Sequence, residues 1–203
     1  MMRTIPFLML LLFACNAPDA ENTTTTEHAV TEADPEADPV ETITRQYEQV
    51  LAEMERGTLR VDSVLYECEN EPESGMVKRH YRGDEQVLVQ WSRGSEHSWS
   101  DRQVFLDGGE PYFVLEELGS WSFGGPATKD ETGTNTIDQI REVRYYLQDG
   151  KIVQHLNKGY EIKSWEPEPD PAQIPSTPLE HRLGQEYAQP ELMRIISGTL
   201  PEC

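Results

Sequence analysis

Residues 98–118 read SWSDRQVFLDGGEPYFVLEEL, and this stretch decides the fold. Two runs rich in apolar and β-branched or aromatic residues, from about Ser98 to Leu106 and from Tyr112 to Leu118, flank Asp107-Gly108-Gly109, whose residues accept the backbone of a tight hairpin turn. The same pattern continues outward on both sides. Upstream, Leu59, Val61, Ser63 and Leu65 alternate with Arg60, Asp62, Val64 and Tyr66. After a turn over 70–75, Val77, Arg79 and Tyr81 alternate with Met76, Lys78 and His80. Gly83-Asp84 leads into a strand with Val87, Val89 and Trp91 on one face, and Gly94-Ser95 leads back to residue 98. Downstream, Val143, Tyr145 and Leu147 mark one side of a strand over 140–148, which Asp149-Gly150 joins to another over 152–162. Period-two alternation with closely spaced turns predicts six to seven antiparallel strands across 58–163.

Helical patterning flanks this region. Asp38 is an N-cap, Pro39 suits the first helical position, and Glu41 completes a capping-box variant. Ile43, Tyr47, Val50, Leu51 and Met54 then form one apolar stripe over 38–56, closed by Gly57. After the sheet, Glu166-Pro-Glu-Pro-Asp-Pro171 cannot join a ladder and predicts an extended strap over 166–176. Thr177, Pro178 and Glu180 read as a second capping box and Pro190 as another start, which predicts a helical tail over 177–198. The expected class is α+β, a single domain over 38–203. In it a meandering, twisted antiparallel sheet is packed by the N-terminal helix, with C-terminal helices closing an edge. The modest apolar content predicts a sheet covered mainly on one face.

The chain has 203 residues and a formal net charge of −20, with no dense group of Lys and Arg. Nucleic acid and anionic lipid surfaces are therefore excluded as electrostatic partners, and the charge favours a soluble monomer. Residues 1–14 carry Arg3 and an apolar run from Ile5 to Phe13, nine residues that suit a signal peptide and are too short to span a bilayer. Leu12, Phe13, Ala14 and Cys15 resemble the lipobox of bacterial lipoproteins. The resemblance implies lipidation of Cys15 after cleavage and, with no aspartate at Asn16, the outer membrane as the destination. Residues 16–37, with four consecutive threonines and a repeated Glu-Ala-Asp-Pro, predict a disordered acidic tether. An exported protein with Cys15 lipidated keeps Cys68 and Cys203 as a pair, for which a disulfide is expected. Closing so long a loop is worth about 5 kcal/mol in the chain-entropy model.

Sequence patterns for chemistry are sparse. There is no P-loop, dinucleotide fingerprint, nucleophile elbow or zinc-ligand spacing, so no cofactor or metal is assigned and no catalytic residue is named. His80 and His155 are the histidines that paired strands would let approach. Asp101, Asp107 and Glu110 are the carboxylates a loose calcium site would use. Glu116 and Glu117 with Asp101 or Asp107 are the ones a hydrolase would use. The most site-like segment is a loop over 119–136 with Trp121 and Phe123 among glycines, neighboured by Trp91, Trp99 and Tyr112. These five aromatics are the candidate contacts for a small apolar or sugar ligand or a protein partner; the alternative is that Trp121 and Phe123 fold inward to plug the sheet edge. The expected function is non-catalytic binding in the cell envelope. Its alternatives are a structural or assembly accessory role and hydrolysis of an envelope polymer.

Overall fold

The Asp38 carboxylate accepts the Val40 N–H at 2.9 Å and Pro39 opens the first turn of helix α1, Pro39–Glu55. The structure is a computed structural model describing residues 38–69, 71–126 and 134–201. The signal peptide, Cys15, the tether and Cys203 lie outside the described residues. Helix α1 ends at Gly57 in the left-handed region (φ 66°), and Ile43 and Val50 are its most deeply buried side chains.

Seven long strands follow: β1 (Arg60–Glu67), β2 (Ser74–Arg82), β3 (Glu85–Gly94), β4 (Ser98–Asp107), β5 (Glu110–Phe123), β6 (Thr136–Gln148) and β7 (Lys151–Lys163). They pair antiparallel in sequence order, as a meander, and a two-residue strand β8 (Thr177–Pro178) joins β7. The sheet therefore has eight strands where the pattern predicts six to seven, and the extra one is too short to leave a periodic signal. Register shifts fall at His80/Tyr81, Phe105/Leu106 and Tyr146/Leu147, each just before a hairpin turn at the same end of the sheet. Bulges so placed increase the local twist beneath α1.

Both faces are covered, contrary to the one-sided expectation. At the hairpin end, strands carry apolar residues at consecutive positions: Val87, Leu88 and Val89; Val104, Phe105 and Leu106; Tyr145, Tyr146 and Leu147. Alternation sends Leu88, Phe105, Phe113 and Tyr146 toward α1, where Tyr47 stacks on Phe113 at 4.3 Å. It sends Val77, Val89, Trp91, Val104, Val114, Val143 and Tyr145 to the opposite face. There Leu192 and Ile195 of helix α2, Pro190–Ile196, close the core, both at most 1% exposed.

The tail differs from its prediction in its first half. Residues 177–189 are not a helix but lie along β7. Leu179 N–H donates to the His155 carbonyl (2.8 Å), Gly184 to Ile152 (2.8 Å) and Tyr187 to Gly150 (2.9 Å), while Ile152 donates to Gln185 (2.9 Å). The open edge of β7 offers fixed partners that a local capping box cannot match, and only a single 3-10 turn, Glu180–Arg182, remains of the predicted helix. The strap before it runs beside β7 and is held by Lys158, whose Nζ donates to the Pro171 carbonyl at 2.9 Å. At the other edge β1 pairs, among the described residues, with β2 alone and exposes Val61 (48%), Val64 (38%) and Leu65 (78%). No helix among the described residues is long and apolar enough to cross a membrane.

Candidate functional site

Helix α1 covers the hairpin end of its sheet face and leaves the other end open. Continuing each strand by two residues beyond the apolar layer gives a cross-strand row of Lys78, Gln90, Gln103, Leu115 and Arg144. Two residues further lies a second row: Ser92, Asp101, Glu117, Glu142 and Lys158. Directly paired residues share a face, so both rows point to the α1 side. Lys78, Gln90, Ser92, Asp101, Gln103 and Glu117 are among the residues lining a half-open groove of about 320 Å³.

The second row places three carboxylates side by side across β4, β5 and β6, an arrangement that like-charge repulsion disfavours. Only one is compensated. Glu142 is buried and ion-paired to Lys158 at 3.1 Å and Arg144 at 2.6 Å. Asp101 and Glu117 have no direct ion pair or hydrogen bond among the described residues. Asp101 remains exposed, yet partial desolvation raises its carboxyl above the ordinary range; desolvation, then the charges of Glu142 and Asp101, raise that of half-buried Glu117, with Lys158 acting the other way. Lys78, across the groove, is likewise without an ion pair among the described residues. Gln90 is anchored through Oε1, 2.8 Å from His80 Nε2, whereas no hydrogen bond among the described residues engages the Gln103 carboxamide.

Beyond the carboxylates, the face turns aromatic. Trp99 lies over Gly119, its cross-strand partner, so closely that a Cβ there would overlap the indole. This contact explains the glycine. Along the same face follow Trp121, 5.1 Å from the Phe123 ring and 4.2 Å from His97.

No protein family, curated protein or solved structure matches the chain.

Of the five predicted aromatics, Trp99, Trp121 and Phe123 come together on the open part of the α1 face. The latter two are not on a loop, because β5 runs to Phe123 and pairs Trp121 with Asp138 and Phe123 with Thr136. Gly119 reads as a turn signal but serves the close approach of Trp99, and Trp-Ser-Phe simply continues the alternation. Phe123, 63% exposed, does not plug the edge. Trp91 borders the groove, yet its ring belongs to the α2-face core: it is 2% exposed, donates to the Tyr66 hydroxyl at 2.9 Å and packs under the Arg102 guanidinium at 4.9 Å. It is a core residue. Tyr112 sits at the hairpin end beside Arg82 and Leu106, away from the groove, its hydroxyl held above its ordinary range by burial.

The carboxylates sort in the same way. Asp101 and Glu117 are direct partners, while Glu116 points to the opposite face, where it meets Arg102 at 3.2 Å and Gln189 at 3.3 Å. Asp107 and Glu110 flank the hairpin, six residues of strand away from Asp101, so the three calcium candidates are not brought together. His80 and His155 lie on β2 and β7, with four strands between them. Among the described residues no three of His, Cys, Asp and Glu converge as metal ligands. Lys78, Gln90 and Gln103 escaped sequence reading. The signal that could have found them is the interruption of the apolar alternation by polar residues at inward positions of three adjacent strands.

Proposed function

We propose that this chain is a lipid-anchored, non-catalytic cell-envelope protein of bacterial type, whose domain binds a ligand or partner through the open half of the α1 face. The observation that supports the reading is a half-covered face: α1 stops short of a groove lined by polar groups, and beyond that groove the same face carries Trp99, Trp121 and Phe123 at successive inward positions. Polar residues at inward positions cost stability, and such costs are retained where a site needs them. Anchoring at Cys15 and a Cys68–Cys203 disulfide belong to the same proposal. Cys68, which directly follows β1 and is 7% exposed, would be the domain's half of that bridge.

The test is native mass spectrometry of the exported protein, purified without reductant. A retained ligand or co-purifying partner that a Gln103→Ala, Trp99→Ala variant loses supports the reading, and a bare polypeptide from wild type counts against it. The same spectrum reports the loss of two hydrogens for the disulfide. Cys15→Ser should move the protein out of the membrane fraction, and unchanged retention would refute the anchor.

One observation favours hydrolysis of an envelope polymer as a second reading: the adjacent Asp101 and Glu117 carboxyls in a groove, both with raised pKa. Acid and base roles, however, need environments that push two carboxyls apart, and here both are raised. Turnover of a labelled glycan or peptidoglycan by wild type, abolished in Glu117→Gln, would establish that reading.

A further inference from the structure

Resting on the reading of the groove as a binding site, we infer that its ligand is a small zwitterion of short-peptide type, with the ammonium held between Asp101 and Glu117 and the carboxylate at Lys78. The groove presents opposite unpaired charges at its two ends and side-chain amides between them. Asp101 and Glu117 are a like-charge pair set directly opposite each other, and no described residue makes an ion pair or hydrogen bond with either. A primary ammonium between them relieves that repulsion and satisfies both carboxylates at once.

The spacing sets the size. Lys78 and Asp101 are two strands and one two-residue step apart, which puts their Cα atoms about 12 Å from each other. The lysine stem shortens the gap, and an extended tripeptide spans at most about 10 Å. Gln103, unengaged and midway between the two ends, offers both a donor and an acceptor to a peptide group. A neutral sugar would leave all three charges unpaired, and a fatty chain would desolvate them.

The experiment is a titration of the full domain, followed by amide chemical shifts and calorimetry, with four probes: trialanine, N-acetyl-trialanine, trialanine amide and chitotriose. Trialanine is expected to bind best, and capping either end to weaken binding by about fivefold or more. Asp101→Asn with Glu117→Gln should abolish the penalty of acetylation and leave that of amidation, and Lys78→Gln should do the reverse. The carboxyl variants remove a repulsion, so their melting temperature should not fall. Equal binding of capped and uncapped peptides, or preference for chitotriose, overturns the zwitterion while leaving the groove as the binding site. If no probe shifts the groove residues, the zwitterion falls; the binding reading falls with it only if the exported protein also carries no ligand or partner.

Discussion

Replacing Glu142 by Gln should destabilise the domain by about 3 kcal/mol, more than replacing its partner Lys158 by Met. The two side chains are 9% and 4% exposed and 3.1 Å apart. At an effective dielectric near 20 their attraction is roughly 5 kcal/mol, which the desolvation of two ions largely cancels, so the intact pair contributes little net stability. Breaking it is different. Glu142→Gln leaves the Lys158 ammonium buried with the Pro171 carbonyl and a neutral amide, and an uncompensated buried charge costs about 3 to 5 kcal/mol. Loss of the Glu142 charge also relieves Glu117, which returns a few tenths. Lys158→Met leaves Glu142 with Arg144 at 2.6 Å, itself a third exposed, so about 1 to 2 kcal/mol should be lost. Urea denaturation of the two single variants and the double variant completes the cycle, with limited proteolysis of the strap as a second readout, since Lys158 holds Pro171. A Glu142→Gln cost below about 1 kcal/mol, or a larger cost for Lys158→Met, would refute the argument that the lysine depends on this carboxylate.

Three further outcomes follow from single contacts. His155 is 3% exposed, stacks on Tyr145 at 4.4 Å, has no hydrogen-bond partner at either ring nitrogen, and burial lowers its pKa, with Arg182, His181 and Arg141 acting the same way. The unfolded chain therefore binds a proton that the folded one refuses, so stability should fall as pH drops through the ordinary histidine range. His155→Phe should flatten that limb, leaving a smaller slope from His80, whose pKa is also lowered; wild-type melts that do not change between about pH 7.5 and 5.5 would contradict this. Gly119→Ala should displace Trp99, red-shift the tryptophan emission and cost about 1 to 3 kcal/mol, whereas an unaltered spectrum would mean the indole does not rest there. Leu192→Ala, which empties a fully buried position beneath α2, should cost about 2 to 5 kcal/mol in chemical denaturation and raise hydrogen exchange over 177–196; a smaller loss would mean the helix is only loosely docked.

The hairpins were legible because Gly83, Asp107-Gly108-Gly109 and Asp149-Gly150 announce left-handed turns, all of which the structure uses. Helix α1 was legible because its cap and its stripe agree. The tail was not: Thr177 to Glu180 carry a sound local capping signal, and the edge of β7, distant in sequence, overrides it. The second covered face was hidden for a related reason. Apolar residues at consecutive positions, as in Val104-Phe105-Leu106, cancel the alternation that would assign them to a side. At the site, single aromatic residues were visible but their grouping was not, since it depends on register: Trp91 and Trp99 belong to adjacent strands yet face opposite ways. Asp101 and Glu117 stood out only as two of 37 acidic residues until pairing set them opposite each other.

The two edges of the sheet are treated unequally. One is sealed by the chain's own tail, whereas on the outer side of β1 the N–H and C=O groups of alternate residues meet no strand among the described residues, with neither a proline nor a bulge along it, and Leu65 is 78% exposed. Nothing in its shape prevents a second molecule from zipping onto it. Charge opposes such pairing: a net charge of −20 repels its like over about 10 Å at 0.1 M salt, but over only about 3 Å at 1 M. Solubility of this domain is thus a property of its solvent as much as of its surface. Edge-to-edge pairing of copies is therefore expected to strengthen as salt is raised and to weaken in dilute buffer.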